Sequence, residues 1–150
     1  MAATVESTPT AEHEAAQVER ANSSGSTPVV FVHGLWLLPS SWERWAQHFE
    51  RNGFTALTPG WPDDPETVAE AKARPETFAG KSIGDVADHF ESVIRRLGRR
   101  PAVIGHSFGG LLTEILAGRG LAFARSRSAR RRSAASCRCR SRRCGRARRC

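Results

Sequence analysis

The sequence predicts an α/β fold in which a three-stranded parallel sheet carries helices on both faces. Three short runs rich in apolar and β-branched residues, 28–33, 54–58 and 102–105, alternate with segments whose apolar residues recur at helical spacing. The first run is nearly all apolar, which is typical of a strand buried on both faces. Alternating strands and helices favour a parallel sheet, because right-handed crossovers return each strand in the same direction.

Sequence signals for the start of a helix lie between the three predicted strands. Ser40 is followed by Glu43, and Ser82 by Asp85, at the three-residue spacing of a capping box. A third helix, predicted directly after residue 107, is apolar enough to be buried. The first of these helices is predicted to bury an apolar face made of Trp42, Trp45, Ala46 and Phe49.

Charge divides the chain into parts of opposite sign. Residues 1–118 carry ten basic and fifteen acidic residues, a net −5, whereas residues 119–150 carry thirteen Arg and no acid, which makes the whole chain +8. Residues 1–27 hold few large apolar side chains and are predicted to be disordered, although 11–21 is compatible with a short helix. The predicted division is a disordered segment 1–27, a hydrophobic domain 28–118 and a disordered tail 119–150.

The tail has two interpretations. Residues 125–150 use only Arg, Ser, Ala, Cys and Gly, which have GC-rich codons, and they include no Lys. A gene read out of frame explains this restricted set of amino acids, and the lack of Lys favours that interpretation. The alternative is a basic arm that binds nucleic acid through its Arg side chains. The cysteines of the tail lack the paired spacing of a zinc site, so no metal is expected. They are Cys137, Cys139, Cys144 and Cys150.

One motif carries the chemistry. Gly105-His106-Ser107-Phe108-Gly109 is a G-x-S-x-G sequence between a predicted strand and a predicted helix, the setting that a nucleophilic serine requires. Side chains at the two glycine positions would clash with neighbouring backbone on so tight a turn. The turn raises the Ser107 hydroxyl above the sheet edge at a helix N-terminus, where free N–H groups favour an oxyanion.

Together with His33-Gly34 after the first strand, this motif resembles the α/β-hydrolase family over residues 28–118, the N-terminal half of that family's fold. The resemblance implies a serine hydrolase that acts on an ester, thioester or related acyl substrate without a cofactor, with Ser107 as nucleophile. It also implies that the first and third strands are neighbours and that the second lies outside the first. Both motifs then lie at the carboxyl ends of strands, where open α/β sheets bind ligands.

The same resemblance assigns the oxyanion donors and a pocket. The backbone N–H of Phe108 matches one donor. The second comes from the loop after the first strand, from either Leu35 or Trp36. Trp36, Leu37 and Trp61 are candidates for the wall of an acyl or alcohol pocket.

The remaining polar candidates are expected to be structural or solvated. In the family the His33 position is structural, and His106 is expected to direct its ring away from the Ser107 hydroxyl. Other side chains lie among polar neighbours and are expected to be solvated, and none of them clusters with further ligands for a metal. These are His48, His89, Asp63 and Asp64.

The chain lacks the partners that this serine needs. In the family an acid and then a histidine follow the serine along the chain, yet residues 108–150 contain no His, no Asp and one carboxylate, Glu114. A neutral serine without a base is a weak nucleophile, so this truncated chain is expected to be inactive or severely impaired. The family's later strands are missing too, which predicts an unpaired edge on the third strand. A fragment without function is a further alternative.

Membrane association is not expected. No apolar run approaches the ~20 residues that span a bilayer. The first 27 residues lack the apolar stretch of a secretory signal, so a cytoplasmic protein is expected. The expected partner is a small acyl substrate, with nucleic acid bound only through the tail, and the oligomeric state stays open.

Overall fold

Parallel strands and flanking helices build this protein, which a computed structural model describes over residues 9–65 and 67–128. The strands are β1 (Thr27–Val32), β2 (Phe54–Leu57), β3 (Ala102–His106) and β4 (Ala124–Ser128). The helices are α1 (Pro9–Ser24), α2 (Glu43–Arg51), α3 (Val68–Ala73), α4 (Ile83–Arg95) and α5 (Phe108–Gly118), with 3₁₀ turns at Pro39–Trp42 and Pro75–Phe78. None of these helices in the described ranges is long and apolar enough to cross a membrane. The strand order β2-β1-β3-β4 confirms the α/β class and adds one strand to the prediction.

Strand β1 lies at the centre of the core, because helices cover it on both sides. Val30 and Val32 belong to the apolar cluster shared with α1, α4 and α5. Val29 and Phe31 belong to a second cluster, with Trp42 and α2. All four strand residues are fully buried, as the continuous apolar run predicts. Strand β1 pairs with β2 on one side and with β3 on the other, so the predicted neighbours are confirmed.

The fourth strand corrects two predictions. Strand β4 pairs in parallel with β3, with Ala124 opposite Ala102, so the outer edge of β3 is paired. Residues 124–128 are therefore ordered, although they were predicted to belong to a disordered tail. Backbone groups form the ladder whatever the side chains, and charged side chains suit an edge strand because they project into solvent. The rest of the predicted tail, residues 129–150, lies outside the described part of the chain.

Helix α1 corrects the prediction that residues 1–27 are disordered. Val18 and Ala21 enter the core cluster that β1 shares with α4 and α5. Glu14 is buried as well, and its Oε1 lies 3.1 Å from Nε2 of His89 on α4. His89 is thus an ion-pair partner of α1, and its predicted solvated position is wrong. Residues 1–8 lie outside the described part.

Polar side chains of α1 also bind the backbone of β2 and the residue that follows it. Gln17 Oε1 accepts a hydrogen bond from the Thr58 backbone N–H at 2.7 Å, and Arg20 Nη2 donates to the Ala56 carbonyl at 2.7 Å. An edge strand has backbone groups that the sheet leaves unpaired, and α1 satisfies part of this demand. The prediction of disorder was based on the small number of large apolar side chains. It failed because α1 docks largely through polar contacts.

The two predicted capping boxes have different outcomes. Ser82 and Asp85 form both hydrogen bonds of the box at the start of α4, and the bonds from Ser82 lower the pKa of the Asp85 carboxyl. At Ser40 a 3₁₀ turn precedes α2, and no side chain caps either element. Trp42 is 7% exposed but Trp45 is 56% exposed, because a 3₁₀ turn has three residues rather than 3.6 and so changes which side chains share a face. The predicted burial of Trp45 is wrong.

The docking of α1 can be tested by removing one of its hydrogen bonds. We expect Gln17→Ala to lower the free energy of unfolding by about 1 kcal/mol or more, because it leaves the Thr58 N–H without its acceptor. Glu19→Ala, on the exposed side of the same helix, is the matched control and should change stability by less than about 0.5 kcal/mol. Urea unfolding measures both variants, and equal midpoints would show that α1 does not dock through Gln17.

Candidate active site

Ser107 joins β3 to α5 in a backbone conformation that residues other than glycine rarely adopt. Its φ is 55° and its ψ is −119°. Strand β3 ends at His106 and α5 begins at Phe108, so the chain changes from strand to helix within one residue. Such strain costs about 1–3 kcal/mol and persists where the surroundings enforce it, as active sites often do. The predicted strand-to-helix turn is therefore present.

The hydroxyl of Ser107 does not cap the helix that follows it. The residue is exposed and occupies the N-cap position of α5, yet its side chain forms no capping hydrogen bond. A serine at an N-cap ordinarily accepts a bond from the second or third N–H of its helix. Here the backbone carbonyl of Ser107 accepts a bond from the Gly110 N–H at 2.9 Å. The hydroxyl oxygen lies at the positive end of an eleven-residue helix.

Two glycines allow the backbones around Ser107 to approach closely. A Cβ at Gly105 would overlap the carbonyl oxygen of Gly109 and the hydroxyl of Thr113. A Cβ at Gly109 would overlap the Val32 carbonyl and would lie 2.6 Å from that of His33. The steric requirement inferred from the motif is therefore met by backbone contacts between α5, β3 and the end of β1.

A tight turn at Gly34–Leu37 lies against Ser107. The Leu37 N–H donates to the Gly34 carbonyl at 3.2 Å, and Trp36 has a φ of 66°. A Cβ at Gly34 would lie 3.3 Å from Cβ of Ser107 and 3.1 Å from the His106 carbonyl. The structure thus brings the turn that holds Leu35 and Trp36, the alternative sources of an oxyanion donor, next to the candidate nucleophile.

A buried histidine–carboxylate pair adjoins this turn. His33 is 2% exposed and Asp64 is 4% exposed, with 3.0 Å between His33 Nε2 and Asp64 Oδ2. The same oxygen accepts the Trp61 backbone N–H at 2.8 Å. The prediction of a solvated Asp64 is wrong, because the chain after β2 folds its side chain onto His33, whereas the neighbouring Asp63 is exposed. The enclosed ring of His33 agrees with a structural role.

Trp61 connects this pair with α5. Its ring stacks on His33 at a centroid distance of 5.6 Å and contacts the ring of Phe108 at 5.7 Å. Because Trp61 is 6% exposed and belongs to the main core cluster, its burial argues against the predicted place in an open pocket wall. Trp36, at 74% exposed, and Leu37 stay predicted pocket residues.

A cleft of about 530 Å³ opens on the face of the sheet that α2 covers. His106 and Ile104 both line it, since alternate residues of a strand face the same side. Leu37 lines it too, so the cleft reaches the turn beside Ser107. Its other lining residues, mostly apolar, are Ser41, Trp42, Trp45, Phe49 and Ser126.

Within residues 9–65 and 67–128, no base is bonded to the hydroxyl of Ser107. Glu114, the carboxylate on α5, lies 3.1 Å from Arg127 of β4. The rings of His33 and His89 each face a carboxylate. The same ranges hold no group of three or more His, Cys, Asp or Glu side chains that could bind a metal ion. The site is an exposed serine at a strand-to-helix turn, with the Gly34–Leu37 turn beside it.

Fold and site together define a class of protein: a parallel α/β sheet with a serine at a strand-to-helix elbow and a His-Gly turn beside it. A comparison with protein-family models matches residues 29–142 to the alpha/beta hydrolase family. The chain belongs to this family, and the resemblance seen in the sequence is confirmed. The match continues past residue 118, the predicted end of the hydrolase domain. A comparison with curated proteins found no match.

Sequence reasoning missed Asp64, although a signal for it was present. His33 follows β1 and Asp64 comes soon after β2. These two strands are parallel neighbours, and the carboxyl ends of parallel strands meet at one edge of the sheet, where polar side chains gather. The positions of both residues at that edge favoured a contact between them.

The glycine contacts generate a stability test. Gly105→Ala and Gly109→Ala should each lower the free energy of unfolding by about 3 kcal/mol or more, because the new methyl group overlaps backbone that cannot move independently. The matched control is Gly118→Ala at the end of α5, where a Cβ meets nothing within 4 Å. It should be neutral or stabilise by up to about 1 kcal/mol. Thermal unfolding would contradict the elbow if all three variants melted alike.

Proposed function

We propose that this protein is a serine hydrolase of the carboxylic ester hydrolase type, which cleaves an ester, thioester or related acyl bond through an acyl-Ser107 intermediate. The supporting observation is an exposed serine at φ 55° in a member of the alpha/beta hydrolase family. Glycine adopts such a φ more readily than serine, and the serine hydroxyl does not cap α5. The hydroxyl oxygen therefore does not stabilise the helix as a cap, which favours a chemical role for it.

In the proposed reaction Ser107 Oγ bonds to the acyl carbon and loses its proton to a base. The former carbonyl oxygen becomes an oxyanion, which the N–H of Phe108 and that of either Leu35 or Trp36 stabilise. The oxyanion then collapses, the carbon–oxygen or carbon–sulfur bond breaks, and the leaving group takes the proton from the base. Water next attacks the acyl carbon, which releases the carboxylic acid and restores the Ser107 hydroxyl. The packing of Gly34 supports this assignment of the oxyanion donors, because a Cβ added to Gly34 would lie 3.3 Å from the Ser107 Cβ and the two candidate donors follow Gly34 directly in the chain. No cofactor takes part.

The missing base limits this reaction. In the family the acid and the histidine come after the serine along the chain, and residues 108–150 contain no His and no Asp. A positioned base contributes about 10²–10⁴-fold to such steps. We propose that the 150-residue chain by itself is inactive or severely impaired for this reason.

A fluorophosphonate probe tests both parts of the proposal, because it reacts covalently with activated serines. We expect slow labelling that depends on Ser107, slower than in a hydrolase with a complete triad by about the 10²–10⁴-fold that a base contributes. Free imidazole in the buffer should accelerate it by acting as an external base. Ser107→Ala should remove both the basal and the accelerated labelling.

Ser92→Ala is the control, since Ser92 is an exposed serine of α4 whose hydroxyl donates to the His89 carbonyl. It should label like the unmodified chain. If Ser107→Ala labelled as the unmodified chain does in imidazole, Ser107 would not be the nucleophile. Rapid labelling of the unmodified chain without imidazole would instead show that it holds a base of its own.

A further inference from the structure

The buried His33–Asp64 pair asks for an explanation other than stability. Its side chains are 2% and 1% exposed. Burying polar groups costs free energy unless they are hydrogen-bonded, and well-packed apolar side chains in their place often give equal or greater stability. Unlike apolar side chains, a buried polar pair holds its hydrogen-bonding groups in fixed directions.

The His33 ring connects this pair to the Gly34–Leu37 turn. His33 Nδ1 lies 3.0 Å from the Gly34 carbonyl oxygen, and since a carbonyl only accepts, Nδ1 is the donor. The same oxygen accepts the Leu37 N–H that closes the turn, at 3.2 Å. Asp64 contacts the opposite side of the His33 ring, so the ring is held between a carboxylate and the carbonyl on which the turn is built.

The Asp64 oxygen that faces His33 is itself held by the backbone. Asp64 Oδ2 accepts the Trp61 backbone N–H at 2.8 Å. The Trp61 ring stacks on His33 and contacts Phe108, the first residue of α5. The pair therefore shares its packing with the elbow that presents Ser107.

The turn needs such support. Leu35, Trp36 and Leu37 are all exposed, so burial of their side chains contributes little to holding the turn. Trp36 has a φ of 66°, and a non-glycine residue in this region persists only where the surroundings enforce it. The Gly34 carbonyl connects the turn to the buried His33 ring.

We propose that Asp64 and His33 are positioning residues, which hold the Gly34–Leu37 turn and its oxyanion donor against the Ser107 elbow. The catalytic meaning of this inference rests on the proposed function. The restraint of the turn, however, is a property of the fold and is measured without any reaction at Ser107.

Asp64→Asn in the full chain tests the restraint. Asparagine keeps the size of the side chain and an acceptor for the Trp61 N–H, but it removes the carboxylate that faces His33. We expect hydrogen exchange of the Leu37 amide, followed by NMR, to become about tenfold faster, because the contact that holds the His33 ring against the Gly34 carbonyl is lost. The Leu35 and Trp36 amide resonances should shift, while the sheet amides of Val30 and Val103 stay protected.

Asp63→Asn is the matched control, with the same change of chemistry one residue earlier on an exposed side chain. It should leave the Leu37 exchange rate unchanged. If Asp64→Asn also left that rate unchanged, or accelerated exchange equally at Val30 and Val103, the pair would be a stability element and not a positioning device.

A measurement on the unmodified chain decides the matter if Asp64→Asn does not fold. The Thr77 N–H donates to the Arg74 carbonyl at 3.2 Å, the same distance as in the Leu37 turn, but no buried histidine–carboxylate pair adjoins it among the described contacts. The Leu37 amide should exchange about tenfold more slowly than that of Thr77 after correction for sequence. Equal rates would overturn the proposal. A restrained turn in a chain that never labels at Ser107 would overturn the proposed function alone.

Discussion

The first turn of α5 touches the backbone of β1 and β3, and the candidate site depends on this contact. At Gly105 and Gly109 there is no room for a Cβ, because carbonyl groups of α5 and of the end of β1 occupy that space. A helix that starts so close to the sheet leaves a single residue in which to turn from strand to helix. Ser107 is that residue, and its φ of 55° follows from the lack of a longer connection. The strain at the serine and the absence of side chains at the glycines are two aspects of one packing constraint.

This close contact depends on the position of β1 in the sheet, and both edges of the sheet are bound by other elements. On one edge, α1 binds β2 through Gln17 and Arg20. On the other edge, β4 pairs with β3 over its full length. Strand β1 is then held between β2 and β3 with helices on both faces, and it carries the backbone against which Gly109 packs. Polar contacts at the periphery thus support a close contact at the centre, since a sheet that frays at β2 or β3 loosens β1 as well.

The features that could be predicted from the sequence are those that short segments specify. The apolar run of β1, the capping box at Ser82 and the G-x-S-x-G motif each need fewer than about ten residues to be recognised, because their causes are local sterics and local hydrogen bonds. The docking of helix α1 could not be found in this way, although the sequence is compatible with a short helix at 11–21. Its docking joins Gln17 to Thr58, which lie 41 positions apart, and its composition alone favours disorder.

Strand β4 and Asp64 escaped prediction for related reasons. Strand β4 has the side chains of a solvated segment, and only the free edge of β3 makes a strand of it. Asp64 sits on a polar, proline-containing loop that gives no sign of burial until β2 is placed beside β1. In both cases the partner, and not the segment itself, determines the structure.

In this fold, the contacts that present Ser107 are separable from the base that its proposed role as a nucleophile requires. The contacts that shape Ser107 involve the end of β1, the Gly34–Leu37 turn, β3 and the start of α5, so the geometry depends on residues up to Thr113. A base has no part in these contacts. Oxyanion donors typically contribute about 10²–10³-fold to acyl transfer and a general base about 10²–10⁴-fold, so the two contributions are of similar size. If Ser107 is the nucleophile that we propose, the turn that presents it forms without a base. Proton transfer is then the contribution that a small molecule in solution can supply, because it needs no covalent link to the fold.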